Sequence, residues 1–449
     1  MQSIFEALEL INNFIWSKLA FALIISLGGY FSLRSRFFQV RKIGSITRSF
    51  FFFFRERSTK QRGIHPLKAF FAAVGGMIGI GNVVGICTAV AIGGPGALFW
   101  VWIGGLFGML LQYAEVYLGL KYREKNSTHN YNGGPMYYLP AAFSSKTLKK
   151  WVAYIAAFLL CVYGTEIFMF NVMADSIVVN WHIDQKLVVA ILLAATLIVA
   201  LGGIKRVGEV CSAIIPLFIF LYFCMCFWVL ACHAAELPRV LGEIFQGAFT
   251  TQAAQGAFSG CTVATAISMG LSRGAYSGDI GIGYTSIIYA ESQSKQIQRL
   301  ASLTIIGIFL DTFVICTLSV LVVLVTGHWK SEIDVSLMVQ EALGLHFPYM
   351  QYFMPFFLFL LGYTTILSYF VVGVKCAKFL APQWGSRLYF IFASLSLPLF
   401  AFVEATQAFT VMSLTGALLL LLNLYGLLKL RKEVAFDLFR VRKHQDIEN

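Results

Sequence analysis

Charge is scarce in this chain. Only 12% of its 449 residues are Asp, Glu, Lys or Arg, against 58% hydrophobic, where a soluble domain carries about 25% charge. Mean hydropathy is +0.75. The apolar residues fall in long runs, not in the short alternating segments of an outer-membrane barrel. The reading is an all-α polytopic membrane protein. Catalytic groups are missing too. No nucleophile–histidine–acid set and no phosphate-binding loop occurs. The histidines, such as His65, His129, His182, His328 and His346, lie between apolar runs. An enzyme is not expected. The nine cysteines, among them Cys161, Cys224, Cys226 and Cys316, sit mostly inside apolar runs without metal-ligand spacing, and read as small core residues. The first residues, Met1 to Glu6, carry no Lys or Arg, so the basic start of a cleaved signal peptide is not seen.

The excess of 34 basic over 22 acidic residues gives a net charge of +12. That balance would suit a nucleic-acid partner. The basic residues, however, cluster in short segments between apolar runs, as the positive-inside bias requires. No nucleic-acid partner is expected; membrane lipid is.

A spanning helix needs roughly 20 apolar residues. About eleven candidates occur, near 12–33, 68–92, 97–120, 151–179, 186–203, a sixth ending near 232, 247–270, 300–326, 351–373, 387–403 and 407–429. Phe50–Phe54, flanked by arginines, is too short to span and reads as a surface-lying amphipathic segment. Residues 233–246 read as a polar connection and 272–298 as a long loop. Lys and Arg collect after odd-numbered spans and in the tail, placing the N-terminus outside and the C-terminus in the cytoplasm of a cell (inner) membrane.

The second span carries Ala73-Val74-Gly75-Gly76-Met77-Ile78-Gly79-Ile80-Gly81-Asn82-Val83-Val84-Gly85. A continuous spanning helix satisfies its own backbone and gains nothing from five glycines and an amide. A helix that stops and restarts at mid-membrane does gain. Its upstream half offers carbonyls to a cation, and its downstream half offers N–H groups to a carboxylate. Glycines can also serve only close helix packing, and spacing alone leaves both readings open. Five spans later, and oppositely oriented, Gln255-Gly256-Ala257-Phe258-Ser259-Gly260 interrupts another apolar run. Paired interruptions in inverted halves point to a transporter site. The halves are 63–240 and 241–430, preceded by a peripheral helix and basic segment over 1–62 and followed by a basic tail over 431–449.

Thr364 and Thr365 in the ninth span have two uses. Their hydroxyls can bond back to carbonyls one turn earlier, or serve as hard oxygen ligands for sodium. Among acids in apolar runs, Glu115, Asp175 and Glu404 lie near span ends and read as interfacial and solvated. Glu166 and Asp311 are candidates for coupling or gating.

Together these residues resemble the alanine or glycine:cation symporter family. The likeness runs through Gly79-Ile80-Gly81-Asn82, Gly93-Gly94-Pro95-Gly96, Tyr113-Ala114-Glu115, Gly133-Gly134-Pro135-Met136-Tyr137-Tyr138, Gly202-Gly203-Ile204-Lys205-Arg206 and Ser272-Arg273-Gly274. The resemblance implies a LeuT-type fold of five plus five inverted helices after one extra helix. It implies sodium-coupled symport of a small neutral amino acid by alternating access. By that likeness, Gly75, Ile78 and Leu361 carbonyls and the Thr364 and Thr365 hydroxyls would hold sodium. Gly79, Ile80 and Gly81, with Asn82 following, would meet the substrate carboxylate, and Phe258 and Ser259 would face the amino acid. The chain departs from the family pattern at Ile80 (Thr), Gly278-Asp279 (Asn-Glu), Tyr289 (His), Tyr369 (Trp) and Val374 (Glu), and loosely at Met173 (Gln). The alternative is a proton-coupled or uncoupled permease for a related solute; an intramembrane enzyme lacks its residues.

Overall fold

The computed structural model describes residues 2–56, 63–126, 130–250, 262–330, 333 and 335–438. These residues are helical almost throughout. Among them the strands are β1 (Glu124–Lys125) and β2 (Tyr131–Asn132), an antiparallel pair. Helix α1 (Ala7–Arg34) is followed by α2 (Ile43–Arg55). The glycine-rich run forms α3 (Pro66–Met77) and α4 (Gly81–Gly93), bent by 48° relative to each other. Then come α5 (Ala97–Lys121), α6 (Lys146–Tyr163), α7 (Ile167–Trp181), α8 (Gln185–Ala200) and α9 (Gly203–Cys232). The second half holds α10 (Leu237–Phe249), α11 (Val263–Ser277), α12 (Tyr284–Ala290) and α13 (Ile297–Val325). It ends with α14 (Met338–Gly344), α15 (Met350–Leu380), α16 (Gly385–Ala401) and α17 (Ala405–Leu430).

Among the described residues seven helices, counting α6 with α7 as one, are long and apolar enough to cross a membrane, and the bent pair α3/α4 makes an eighth. Helices α8 and α16 are apolar but shorter. The most central is α15, 83% buried over its apolar window, and the most peripheral is α1, 33% buried. Helix α1 rests on α17, where the Trp16 indole N–H donates to the Ser413 carbonyl at 3.2 Å. Helix α2 buries Ile46, Ser49 and Phe53 and exposes Phe51, Phe52 and Phe54. That one-sided stripe is the amphipathic segment expected from the sequence.

Helix starts follow local chemistry. His65 caps α3 by accepting from the Leu67 N–H at 3.2 Å, with Pro66 in the first helical position, where its missing N–H costs nothing. Asp184 caps α8 and Thr262 caps α11 through side-chain oxygens, each at 3.1 Å. Pro216, Pro355 and Pro398 lie inside helices, where neighbouring helices can re-satisfy the freed carbonyls.

Three expectations are corrected. The fourth span is not continuous, because α6 and α7 are separated at Gly164-Thr165-Glu166. A Cβ on Gly164 would lie 2.9 Å from both the Gly373 Cα and the Tyr369 carbonyl, so backbone meets backbone there. Residues 272–298 are not a loop: α11 runs on to Ser277 and α12 follows, and within the polar connection over 233–246 residues 237–246 belong to α10. Glu115 is not solvated. It is fully buried in α5 and accepts from the Gly283 N–H at 3.0 Å, the Ser286 N–H at 3.3 Å and the Asn423 amide at 3.0 Å. It ties α5, α12 and α17 together. Asp175 is half-buried and Glu404 exposed.

Candidate substrate and cation site

Helix α3 ends because the chain leaves helical geometry at Ile78, whose backbone is extended (φ −83°, ψ 96°). Asn82 stabilises this break. Its side-chain oxygen accepts from the Gly79 N–H at 2.9 Å, and its backbone N–H donates to the Gly79 carbonyl at 3.1 Å. Its amide N–H group donates to Asp311, and also lies 3.3 Å from the Cys316 sulfur. Asp311 occupies a wide, π-type stretch of α13 (Phe309–Cys316), a distortion common at functional positions. Its other oxygen accepts from Thr312 at 2.8 Å. A Cβ on Gly278 would stand 3.2 Å from this oxygen, so the small residue at that departure leaves Asp311 its room.

The upstream side of the break meets α15. Thr365 donates to the Gly75 carbonyl at 3.1 Å and approaches the Leu361 carbonyl at 3.2 Å, while Thr364 donates to Leu361 at 2.9 Å. Of the two uses foreseen for the threonines, the structure shows the first. The hydroxyls bond back along their own helix, and Thr365 also reaches across to α3. Four of the five expected sodium ligands, Gly75, Leu361, Thr364 and Thr365, converge here, and Ile78 follows in the same break. The glycines differ in purpose. A Cβ on Gly79 would lie 2.6 Å from the Thr365 hydroxyl oxygen, one on Gly75 would lie 2.8 Å from the Cys211 sulfur, and one on Gly76 would strike the Tyr284 ring. A Cβ on Gly81 would meet only the Met169 methyl, at 3.5 Å. Neither Gly79 nor Gly81 has positive φ, so no left-handed conformation is involved. Gly85, by contrast, has nothing within 4 Å of its Cβ position and serves no close helix packing.

Downstream, Gly81 and Asn82 line a small cavity with Gly76, Met77 and Thr365. Tyr163, Glu166, Met169, Tyr276, Ser277, Asp279 and Tyr369 complete the wall. Its volume, about 10 Å³, is at the lower limit for one water molecule. Tyr369 stacks on Tyr284 (4.1 Å between centroids) and meets Tyr163 edge-on (5.3 Å). Of the N–H groups expected to meet a carboxylate, that of Gly79 is already held by Asn82. The Ile80 side chain and Met173 lie against Gly362 on α15, 2.9 and 3.4 Å from its Cβ position, so two departures from polar to apolar adjoin one another. Tyr289 is buried in α12 away from the lining. Val374 lines a separate, wider opening of about 600 Å³ between β2, α9 and α15, whose wall carries the Glu291–Lys375 ion pair. Phe258 and Ser259 lie outside the described residues. Sequence reasoning missed Tyr163, Met169, Tyr276 and Ser277. The acids at 166 and 279 were the visible signal for that wall, but only the interruption after α6 brings Glu166 to it.

An interrupted membrane helix, closed by an amide and faced by paired hydroxyls, is the kind of arrangement found at secondary-transporter sites. The chain belongs to the sodium:alanine symporter family, whose sequence profile matches residues 1–447. That is a family of sodium-coupled amino-acid symporters. The chain is 30% identical over 433 residues to the sodium/alanine symporter AgcS of Methanococcus maripaludis, covering 94% of this chain and 93% of the relative. It is 30% identical to an uncharacterised transporter of Haemophilus influenzae, covering 95% and 94% of the two chains. It is 27% identical to the probable sodium/glutamine symporter GlnT of Bacillus subtilis, covering 97% and 90%. In fold it is similar to MhsT, solved with L-phenylalanine (TM-score 0.54, 15% identity, 81% of this chain and 89% of that one). It is also similar to the nucleobase-cation-symport transporter Mhp1 (TM-score 0.53, 11% identity, 78% and 75%). The fold is thus of the LeuT type.

Proposed function

We propose that this chain is a sodium-coupled symporter of a small neutral amino acid, alanine or glycine, working by alternating access in the cell membrane. The observation that carries the reading is the Thr365–Gly75 contact between α15 and the end of α3, just upstream of the α3/α4 break. A sodium ion at this point would draw on the Gly75, Ile78 and Leu361 carbonyls and the two threonine hydroxyls. Hard cations favour such an all-oxygen set. The substrate carboxylate would face the N–H groups of Ile80 and Gly81, with Gly79 joining if Asn82 turns aside. Phe258 and Ser259 would approach from the opposite half. The cavity, with room for about one water, suits a closed stage of the cycle in which the pocket must open to admit an alanine-sized solute.

In this reading the spans number about eleven: α1, α3/α4, α5, α6/α7, α8, α9, the seventh near 247–270, α13, α15, α16 and α17. After the peripheral α1, residues 63–240 and 241–430 form two inverted repeats of five. Basic segments place the N-terminus outside and the C-terminus in the cytoplasm. The name of the M. maripaludis relative supports alanine.

A second reading, a proton-coupled permease, has the buried Asp311 and Glu166 in its favour. Uptake of labelled alanine and glycine into proteoliposomes, with leucine as competitor, tests the substrate. One methylene of misfit is worth about 1–3 kcal/mol, so leucine should compete poorly. Equal competition by leucine and alanine overturns the small-pocket assignment.

A further inference from the structure

The helix break forms one wall of the small cavity, and two acids contribute to the remainder. Glu166, between α6 and α7, and Asp279, after α11, both line it. Each is 2% exposed. Each keeps one carboxylate oxygen, Oε2 of Glu166 and Oδ2 of Asp279, without a hydrogen-bond partner among the described residues. The Tyr276 hydroxyl, also at the cavity on a residue 7% exposed, is in the same condition. The other oxygen of Asp279 accepts from Tyr163 at 3.2 Å. No Lys or Arg is among the described lining residues. Arg273, on α11, has its guanidinium 4.3 Å from the Phe409 ring centroid, and that ring meets Tyr276 edge-on.

Buried carboxylates without partners are costly. Here both also sit in left-handed backbone, at φ 49° and 50°, which disfavours any non-glycine residue. Such an arrangement is retained where an incoming group repays it. The three unpartnered oxygens offer negative charge and hydrogen-bond acceptance at one place. A primary ammonium brings one positive charge and three N–H donors. The threonine pair across the break already supplies the oxygen set suited to a bare metal cation.

We propose that Glu166, Asp279 and Tyr276 form the seat for the protonated amino group of the transported amino acid, while its carboxylate meets the helix break. This rests on the amino-acid reading above. It assigns the solute's two charged ends to different elements. The α3/α4 break takes the anion, and the α6/α7 interruption with the end of α11 takes the cation. Solutes lacking the amine should then be rejected however well their carboxylate fits.

The test compares L-alanine with propionate, which keeps the carbon skeleton and carboxylate but has no amine, as competitors of labelled alanine. In the wild type propionate should compete at least about a hundredfold worse, the scale on which a buried polar seat rejects an analogue that leaves it unpaired. In Glu166→Gln and Asp279→Asn, alanine should weaken tenfold or more while propionate stays unchanged, so that the gap narrows. The charge-conserving Glu166→Asp should keep most of the gap, and sodium-dependent thermal stabilisation reports that each variant is folded. A wild type that takes up neither alanine nor glycine overturns the substrate reading, and is seen before any variant is made. A transporting wild type whose alanine-to-propionate gap is unmoved in both folded amide variants overturns the ammonium seat alone. So does alanine binding that is unchanged while proton uptake is lost.

Discussion

Thr365 on α15 donates its hydroxyl proton to the Gly75 carbonyl on α3 at 3.1 Å, across 290 residues of chain. The contact joins α15 to α3 close to where α3 ends. It also brings together a carbonyl and a hydroxyl that a cation can share.

Removing the hydroxyls should therefore be felt as a sodium effect. The double change Thr364→Ala, Thr365→Ala should raise the sodium concentration for half-maximal uptake by about tenfold or more, the scale of losing hydrogen-bond-strength contacts to a charge. The protein should stay folded, because the Leu361 carbonyl keeps its helical geometry. A sodium titration of uptake checks this, and an unchanged midpoint contradicts it.

The glycines of the break should separate by substitution. Gly79→Ala sets a methyl against the Thr365 hydroxyl oxygen, at 2.6 Å before adjustment, and should raise the sodium requirement. Gly81→Ala meets only Met169 at 3.5 Å. It should fold normally but place its methyl in the cavity, lowering substrate affinity about tenfold, on the scale of lost hydrogen bonds to a charged group. Gly85→Ala should leave transport unchanged and gain up to about 1 kcal/mol of helix stability. Binding and detergent melting of the three variants test the series, and normal substrate binding by Gly81→Ala contradicts the cavity's role.

Ile80 and Met173 should behave as a pair. Met173→Gln or Ile80→Thr alone buries a polar group at the apolar contact over Gly362 and should destabilise by about 1–3 kcal/mol. The double change lets the two new groups bond each other and should cost less than the sum. Melting of all four proteins in one detergent closes the cycle, and strict additivity contradicts the pairing.

Glu115 should prove structural. Glu115→Ala strands the Gly283 and Ser286 N–H groups and one N–H of the Asn423 amide, whose other bonds to Gly281 and Tyr138 remain, each lost partner worth about 1–3 kcal/mol when left unpaired and buried. The yield of folded protein should fall sharply. Glu115→Gln, which retains one oxygen, should lose less and keep sodium-dependent uptake per folded molecule. A Glu115→Ala protein of wild-type stability contradicts this.

The helix break was legible because its chemistry is local. Five glycines and Asn82 in one apolar run mark a helix that cannot profit from continuity, and two adjacent threonines mark an oxygen source. What escaped the sequence depends on distant partners. Glu115 looks like a residue near a helix end until α12 and α17 supply its donors. The stop at Gly164 has no proline to announce it, only the short Gly164-Thr165-Glu166 stretch, and the backbone of α15 at Gly373 and Tyr369 lies against it. Ser272–Gly274 carries a glycine and a serine that suggest a loop, but packing against α5 keeps it helical.

The most direct test of sodium-coupled symport is concentrative uptake of labelled alanine into proteoliposomes under an imposed gradient. An inward sodium gradient should drive accumulation above the external level, and replacing sodium by potassium or imposing only a pH gradient should abolish it. Accumulation driven by the pH gradient and indifferent to sodium would contradict the account.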